Sequence, residues 1–367
     1  MTLVASSQTS EDGAGASRSL QRRGAFALWS RRCSRRTFED MTSTIDHRHL
    51  GRSGLTVSVV GLGCNNLGRQ HCATETLEGS TAVVTAALDA GITLFDVADV
   101  YGAEPGRSEE FLGKALGSRR DEAVVATKFG MDVRGANGPD HGARGSRRYI
   151  LASVEASLRR LGTDYIDLYQ FHTPDPGTPV EETLSALDSL VTSGKVRYVG
   201  HSNRAGWQIA EAELLARQLG TERFVSSQNH YNIIDRRAEL EVVPAAEAFG
   251  LGVLPYFPLA NGLLTGKYSR EGGPADGRLT HSKPGLLESA PWEALERYSA
   301  FAAERDLTEV QVAFSWLAAQ PVVSSVIAGA TRPEQIEQNA AAVHPLTSED
   351  LAVLDEIFPR PDKIALF

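Results

Sequence analysis

From about residue 57 onward, short runs of apolar and β-branched residues alternate with longer stretches whose apolar positions recur at a helical period. Eight runs carry the strand pattern: Val59–Gly63, Ile92–Ala98, Ala123–Phe129, Tyr165–Phe171, Val196–Ser202, Phe224–Gln228, Gly252–Leu259 and Val323–Gly329. Their near-continuous hydrophobicity predicts strands buried on both faces, and hence a parallel sheet. The stretches between them carry helix punctuation. Thr178-Pro179-Val180-Glu181 reads as a capping box with proline at the first helical position, and Thr308 with Gln311 repeats the box. Gly117, Gly162 and Gly250 fall where a left-handed terminal residue is wanted. An open doubly wound sheet would show the same alternation, so the polar residues must decide between the two. One sits at or just after nearly every strand: Asn65, Asp96, Lys128, His172, Ser202 with Asn203, Gln228, Tyr256 and Thr331. In a barrel all these ends converge on one face, where barrel enzymes place their chemistry. The expected fold is therefore α/β, a (β/α)8 TIM barrel with an N-terminal hairpin and extra C-terminal helices.

The length, 367 residues, accommodates such a barrel of about 250 residues with insertions as one unit. Apolar residues at 42% and charged residues at 23% are an ordinary globular balance. A net charge of -9, with the only basic cluster near the N-terminus, argues against nucleic acid or an anionic membrane as partner. No apolar run approaches the roughly 20 residues of a membrane helix. Cys33, Cys64 and Cys72 follow no metal-ligand spacing and cannot all pair, which suits the reducing cytoplasm and predicts no metal site.

Residues 1–45, rich in Ser, Arg, Gly and Ala, have no sustained apolar period and are expected to form a disordered extension ahead of a barrel domain at 46–367. Within them Ser34-Arg35-Arg36-Thr37-Phe38 looks like a twin-arginine export signal. Glu39 and Asp40 follow it in place of an apolar segment, which argues against export. Met41 is an alternative start of translation, and an organellar transit peptide is the lesser reading of the tail.

Leu94-Phe95-Asp96-Val97-Ala98-Asp99-Val100-Tyr101-Gly102 places Tyr and Gly five and six residues after a strand-end Asp. Val125-Ala126-Thr127-Lys128-Phe129 puts a lysine in an apolar run, where an unpaired charge is costly and a partner is required. Ile166–Phe171 leads into His172, and Gly200-His201-Ser202-Asn203, Gln228 to Asn232, Tyr256 to Tyr268 and Ala328 to Asn339 follow in order. Over roughly residues 48–345 this succession resembles the aldo-keto reductases, of the NADP-dependent bacterial type. The resemblance implies hydride transfer from NADPH to a small aldehyde or ketone. Tyr101 would be the proton donor, Lys128 would lower its pKa, Asp96 would hold the lysine, and His172 would orient the carbonyl. Taken singly, Asp96 could cap a turn, Tyr101 could be core and His172 a loop histidine. Their order and context favour the catalytic set.

The same resemblance implies the cofactor contacts. Ser202, Asn203 and Gln228 would hold the carboxamide and Tyr256 would stack on the nicotinamide. Leu259, Gly262 and Lys267 would surround the pyrophosphate, and Gly329, Thr331, Arg332, Gln335, Gln338 and Asn339 the adenosine end. Thr331 and Glu334 read as a capping box around Pro333, and that helix start with Arg332 suits a 2′-phosphate, which selects NADPH over NADH. No Gly-x-Gly-x-x-Gly fingerprint follows a strand. Cys64-Asn65-Asn66 and Phe257 depart from the family pattern and leave the substrate open, as is the oligomeric state. Two rivals stand beside this reading: a cofactor-binding sensor or regulatory subunit such as the potassium-channel β subunits, and a barrel enzyme of another class, for which a second strand-end carboxylate is lacking.

Overall fold

A computed structural model describes residues 45–362, apart from 276, 278, 281 and 282. Most of the expected extension, with the arginine pair and Met41, lies outside the described residues. Ile45, assigned to that extension, is buried and belongs to the hydrophobic core.

Two short antiparallel strands, β1 (His47–His49) and β2 (Thr56–Ser58), form the expected hairpin. Eight parallel strands follow: β3 (Val60–Gly63), β4 (Leu94–Asp96), β5 (Val124–Phe129), β6 (Ile166–Phe171), β7 (Val196–Ser202), β8 (Ser226–Gln228), β9 (Gly252–Val253) and β10 (Val326–Gly329). Each pairs with its sequence neighbour, and β10 returns to pair with β3. Closure between β9 and the approach to β10 comes from Val253 N–H donating to Val322 O at 2.8 Å and Ser324 N–H to Val253 O at 3.0 Å. The eight expected runs are these eight strands, with shorter ends in places. β9 stops at Val253 because Pro255 and Pro258 lack the N–H a ladder needs, and Phe257 adopts φ 54°.

Strand side chains alternate between two cores. Val125, Phe129, Tyr169 and Phe171 point outward into the large layer under the helices. Leu94, Ala126, Leu168, Leu254 and Ile327 point into the barrel, where Leu50 and Val57 of the hairpin plug the lower end. The hairpin seats closely because Gly51 has φ 58° and a Cβ there would meet Gly250 O at 2.4 Å. Two residues above Leu94, Ala126 and Leu168 on the same faces stand Asp96, Lys128 and Gln170. The barrel interior is thus apolar below and polar above, and register brings Lys128 level with Gln170.

Helix starts differ in detail from expectation. The Thr308/Gln311 box forms at the helix Glu309–Ala318, with Thr308 N–H donating to Gln311 Oε1 at 2.8 Å. At the helix Val180–Thr192, Pro179 is the N-cap instead of the first helical residue, and Thr178 Oγ1 donates to Asp175 at 2.8 Å. At the helix Pro333–Ala340, Gln335 takes the reciprocal role expected of Glu334, because the N-cap is Arg332 and the third helical residue is therefore Gln335. A C-terminal helix, Ser348–Ile357, follows the barrel, and one at Trp292–Glu304 is inserted between β9 and β10. No helix among the described residues is long and apolar enough to cross a membrane.

Candidate active site

At the C-terminal mouth of the barrel lies a cavity of about 380 Å³. Asp96, Tyr101, His172, Ser202, Gln228, Tyr256, Leu259, Gly262 and Gly329 line it, all singled out from the sequence. Lys128 lies under this wall, fully buried, and donates to both carboxylate oxygens of Asp96 at 2.7 Å and to Val97 O at 3.0 Å. The partner that a lysine in an apolar run demanded is thus Asp96.

The carboxylate is itself held from the far side. Gln228 Nε2 donates to Asp96 Oδ1 at 2.8 Å and Gln170 Nε2 at 3.3 Å. Gln170 is a site residue that the sequence reading missed. It sits in the apolar run of β6, yet shares its face with His172 two residues on, and that period of two is the signal that would have found it. On the outer face of β5, Thr127 Oγ1 donates to Glu109 at 2.5 Å and Arg160 Nε binds the same carboxylate at 2.7 Å. Asn137 Nδ2 donates to Asp99 at 2.8 Å and ties the loop after β5 to the segment that carries Tyr101.

Lys128 Nζ lies 5.0 Å from the centre of the Tyr101 ring, and the His172 imidazole meets that ring edge-on at 5.9 Å. Burial alone would push the Lys128 ammonium towards deprotonation, but Asp96 and Tyr101 outweigh it, so its pKa stands above the usual lysine value. For Tyr101 the balance runs opposite to expectation. Burial raises its pKa more than Lys128 lowers it, and the phenol is held in its protonated form. Burial, with Lys128 adding to it, lowers the His172 pKa to about 3, so the ring is neutral at physiological pH. Among the described residues its Nδ1 has no hydrogen-bond partner.

Ser202 Oγ donates to Gln228 O at 2.7 Å, and Asn203, at φ 58°, donates to His172 O at 2.9 Å. Tyr256 OH donates to Asn203 Oδ1 at 2.9 Å. These bonds brace the cavity wall across β7, β8 and the segment after β9. That segment carries three more non-glycine residues at positive φ, Phe257, Ala260 and Asn261. Such conformations cost on the order of 1 kcal/mol each and persist where surrounding structure holds them. Phe257 and Asn261 line the cavity, as do Asn65 and Asn66 after β3.

Six further residues singled out from the sequence stand away from the cavity wall. Lys267, Arg332 and Gln338 are exposed, and Asn339 is buried in its helix. Gln335 Oε1 accepts from Thr331 N at 2.8 Å and Arg332 N at 3.2 Å, so its carbonyl caps the helix. Arg332 forms no ion pair with the described residues. Among these residues no group of three His, Cys, Asp or Glu side chains could hold a metal ion.

Residues 59–358 match the model of the aldo/keto reductase family. The chain is 38% identical to an uncharacterized oxidoreductase, YrpG, of Bacillus subtilis (strain 168) over 325 residues, covering 86% of this chain and 97% of that protein. It is 36% identical to the L-glyceraldehyde 3-phosphate reductase of Escherichia coli (strain K12) over 327 residues, 85% and 92% of the two chains. A probable voltage-gated potassium channel subunit beta of Oryza sativa subsp. japonica is 37% identical over 323 residues, 85% and 95% of the two chains. Together with the buried Asp–Lys pair at the mouth of an eight-stranded barrel, these matches show that the chain belongs to the aldo/keto reductase family, oxidoreductases that generally use nicotinamide cofactors on small carbonyl compounds.

Proposed function

We propose that this protein reduces an aldehyde or ketone with NADPH, using Tyr101 as the general acid. The observation that carries the reading is the fully buried Lys128–Asp96 pair beneath a protonated, cavity-facing Tyr101. The residues suit a nicotinamide. Tyr256 offers an aromatic surface, the Ser202 and Gln228 side chains offer polar contacts, and the wall thins at Gly329, where a Cβ would come within 3.0 Å of Asn66. When bound, the reduced nicotinamide would supply the hydride.

The chain's own groups handle the proton. Negative charge grows on the carbonyl oxygen, and Tyr101 OH donates its proton there. Its raised pKa matches a developing alkoxide better than it matches water, so the phenol stays loaded until the oxygen becomes basic. Lys128 then stabilises the tyrosinate, and Asp96 keeps the ammonium charged and aimed. Gln170 and Gln228 stop the carboxylate from turning away. His172 is a poor proton source at neutral pH, being neutral already, so its role is to donate a hydrogen bond that orients the carbonyl. The setting that fits this chemistry is the cytoplasm, and the barrel domain is the unit that performs it.

The preference for NADPH rests on Arg332, an exposed cation at the start of the helix Pro333–Ala340. NADPH is expected to bind at least tenfold more tightly than NADH. Arg332→Ala should erase most of the gap, since a charge-assisted phosphate contact contributes about 1.5–3 kcal/mol. Dissociation constants from fluorescence quenching test this, and equal values for the two cofactors in the wild type would refute it.

A further inference from the structure

Tyr256 borders the cavity, and His230 stacks on its ring with centroids 5.5 Å apart and planes 8° from parallel. His230 does not line the cavity. Phe257 packs edge-on against both rings, at 5.6 Å from His230 and 5.2 Å from Tyr256.

The hydrogen bonds around His230 fix its protonation state. Asn232 Oδ1 accepts from Ile234 N at 3.0 Å and from Asp235 N at 2.8 Å, so the amide nitrogen of Asn232 is the end that faces the other way. That nitrogen donates to Phe257 O at 3.0 Å and lies 3.3 Å from His230 Nε2. A donor facing Nε2 requires a bare nitrogen there. The ring proton therefore sits on Nδ1, 3.2 Å from Asp235 Oδ2. Asp235 in turn accepts from Arg237 Nε at 2.8 Å and Nη2 at 2.6 Å. The result is a neutral imidazole of one tautomer, locked parallel to Tyr256. Nothing in the proton transfer by Tyr101 uses it.

We propose that His230 is a positioning residue for the nicotinamide: neutral, it backs Tyr256 with an electron-rich stack that favours the oxidised, cationic ring, and protonated, it withdraws that preference. The proposal rests on the reading that a nicotinamide occupies the cavity face of Tyr256. The oxidised ring carries a positive charge and the reduced ring does not, so only the former gains from two stacked π systems with a carboxylate behind them. A second proton on His230 would place a cation one stacking layer further off, about 3.5–4 Å beyond the observed 5.5 Å spacing. At that range in a partly buried site it costs the oxidised form roughly threefold to tenfold in affinity relative to the reduced form. The groups around the imidazole set when this happens. Burial, Arg237 and Lys283 oppose protonation, Asp235 favours it, and the net position is below the ordinary histidine value. Tyr256, the remaining titratable neighbour among the described residues, stays a neutral phenol throughout, its pKa raised by burial and by Asp235. His172, held near 3, does not titrate in the same window.

The test is the dissociation constant of NADP+ and of NADPH, followed by quenching of protein fluorescence between pH 8 and pH 5. The wild type, His230→Phe and His230→Gln are compared, with folding at each pH checked by circular dichroism. The 2′-phosphate titrates in both cofactors and cancels in the ratio of the two constants. In the wild type the ratio for NADP+ over NADPH should rise roughly threefold to tenfold as the pH falls. His230→Phe keeps an aromatic backing and His230→Gln a polar one, but neither titrates, so both ratios should stay flat. A flat ratio in the wild type, or a rise that persists in either variant, would overturn the role of His230 while leaving the nicotinamide reading intact. Failure of both cofactors to bind the wild type would overturn both.

Discussion

Lys128→Met should abolish reductase turnover and lower the melting temperature by roughly 6–10 °C. The two effects share one cause. Lys128 is fully buried and donates to both oxygens of Asp96, so its removal leaves a carboxylate in the barrel with, among the described residues, only Gln170 and Gln228 as donors. Breaking a buried pair in this way costs about 3–5 kcal/mol, and in a domain of this size each kcal/mol corresponds to about 2 °C. Adding Asp96→Asn to Lys128→Met removes the stranded charge and should recover most of the lost stability. Turnover should not return, because no cation remains to stabilise the Tyr101 oxyanion. Thermal melts of the wild type, both single variants and the double variant measure the coupling directly. If Lys128→Met melted like the wild type, the pair would not be what holds the upper barrel together.

Tyr101→Phe is expected to have the purest catalytic effect. Tyr101 lines the cavity and the substitution keeps its ring, so the edge contact with His172 is retained and the fold is spared. Cofactor affinity should be unchanged, since the lost proton serves the substrate oxygen. Turnover should fall by roughly 10²–10⁴, equivalent to about 3–5 kcal/mol of barrier. The pH profile separates this acid from the alternative. His172 titrates near 3, so a histidine acid would lose activity throughout the neutral range. A Tyr101 acid keeps the wild-type rate level from mildly acidic pH upward and loses it only in alkali, above the ordinary tyrosine value of about 10. Steady-state rates across that range check the assignment, and an acid limb centred near neutrality would count against it.

The parallel sheet was legible because runs such as Ala123–Phe129 are nearly continuously apolar, and the barrel because a polar residue stands at nearly every strand end. Ends were less legible where a local rule competed. Pro255 and Pro258 cut β9 short of Leu259, and Pro179 became the cap of the helix it was expected to begin. The Lys128–Asp96 pair could be read because a buried lysine demands a carboxylate and Asp96 stood at the neighbouring strand end. Gln170 was hidden inside a strand, where glutamine carries no charge to draw attention. The Asp99–Asn137 and His230–Tyr256 contacts join residues 38 and 26 positions apart, and neither spacing belongs to a helix or strand period. The sign of the Tyr101 shift was also out of reach, since it depends on burial at the barrel mouth outweighing one ammonium.

A carbonyl reductase turns over its cofactor, whereas a regulatory β subunit need only hold it. The most direct measurement mixes the wild-type protein with excess NADPH and 4-nitrobenzaldehyde and follows cofactor oxidation and alcohol together. Many turnovers per protein are expected, with one alcohol formed for each NADPH oxidised and a fall of at least about a hundredfold in Tyr101→Phe under the same conditions. Oxidation that stops after one cofactor per protein, or a Tyr101→Phe variant that retains more than about a tenth of the wild-type rate while chemistry limits turnover, would contradict it.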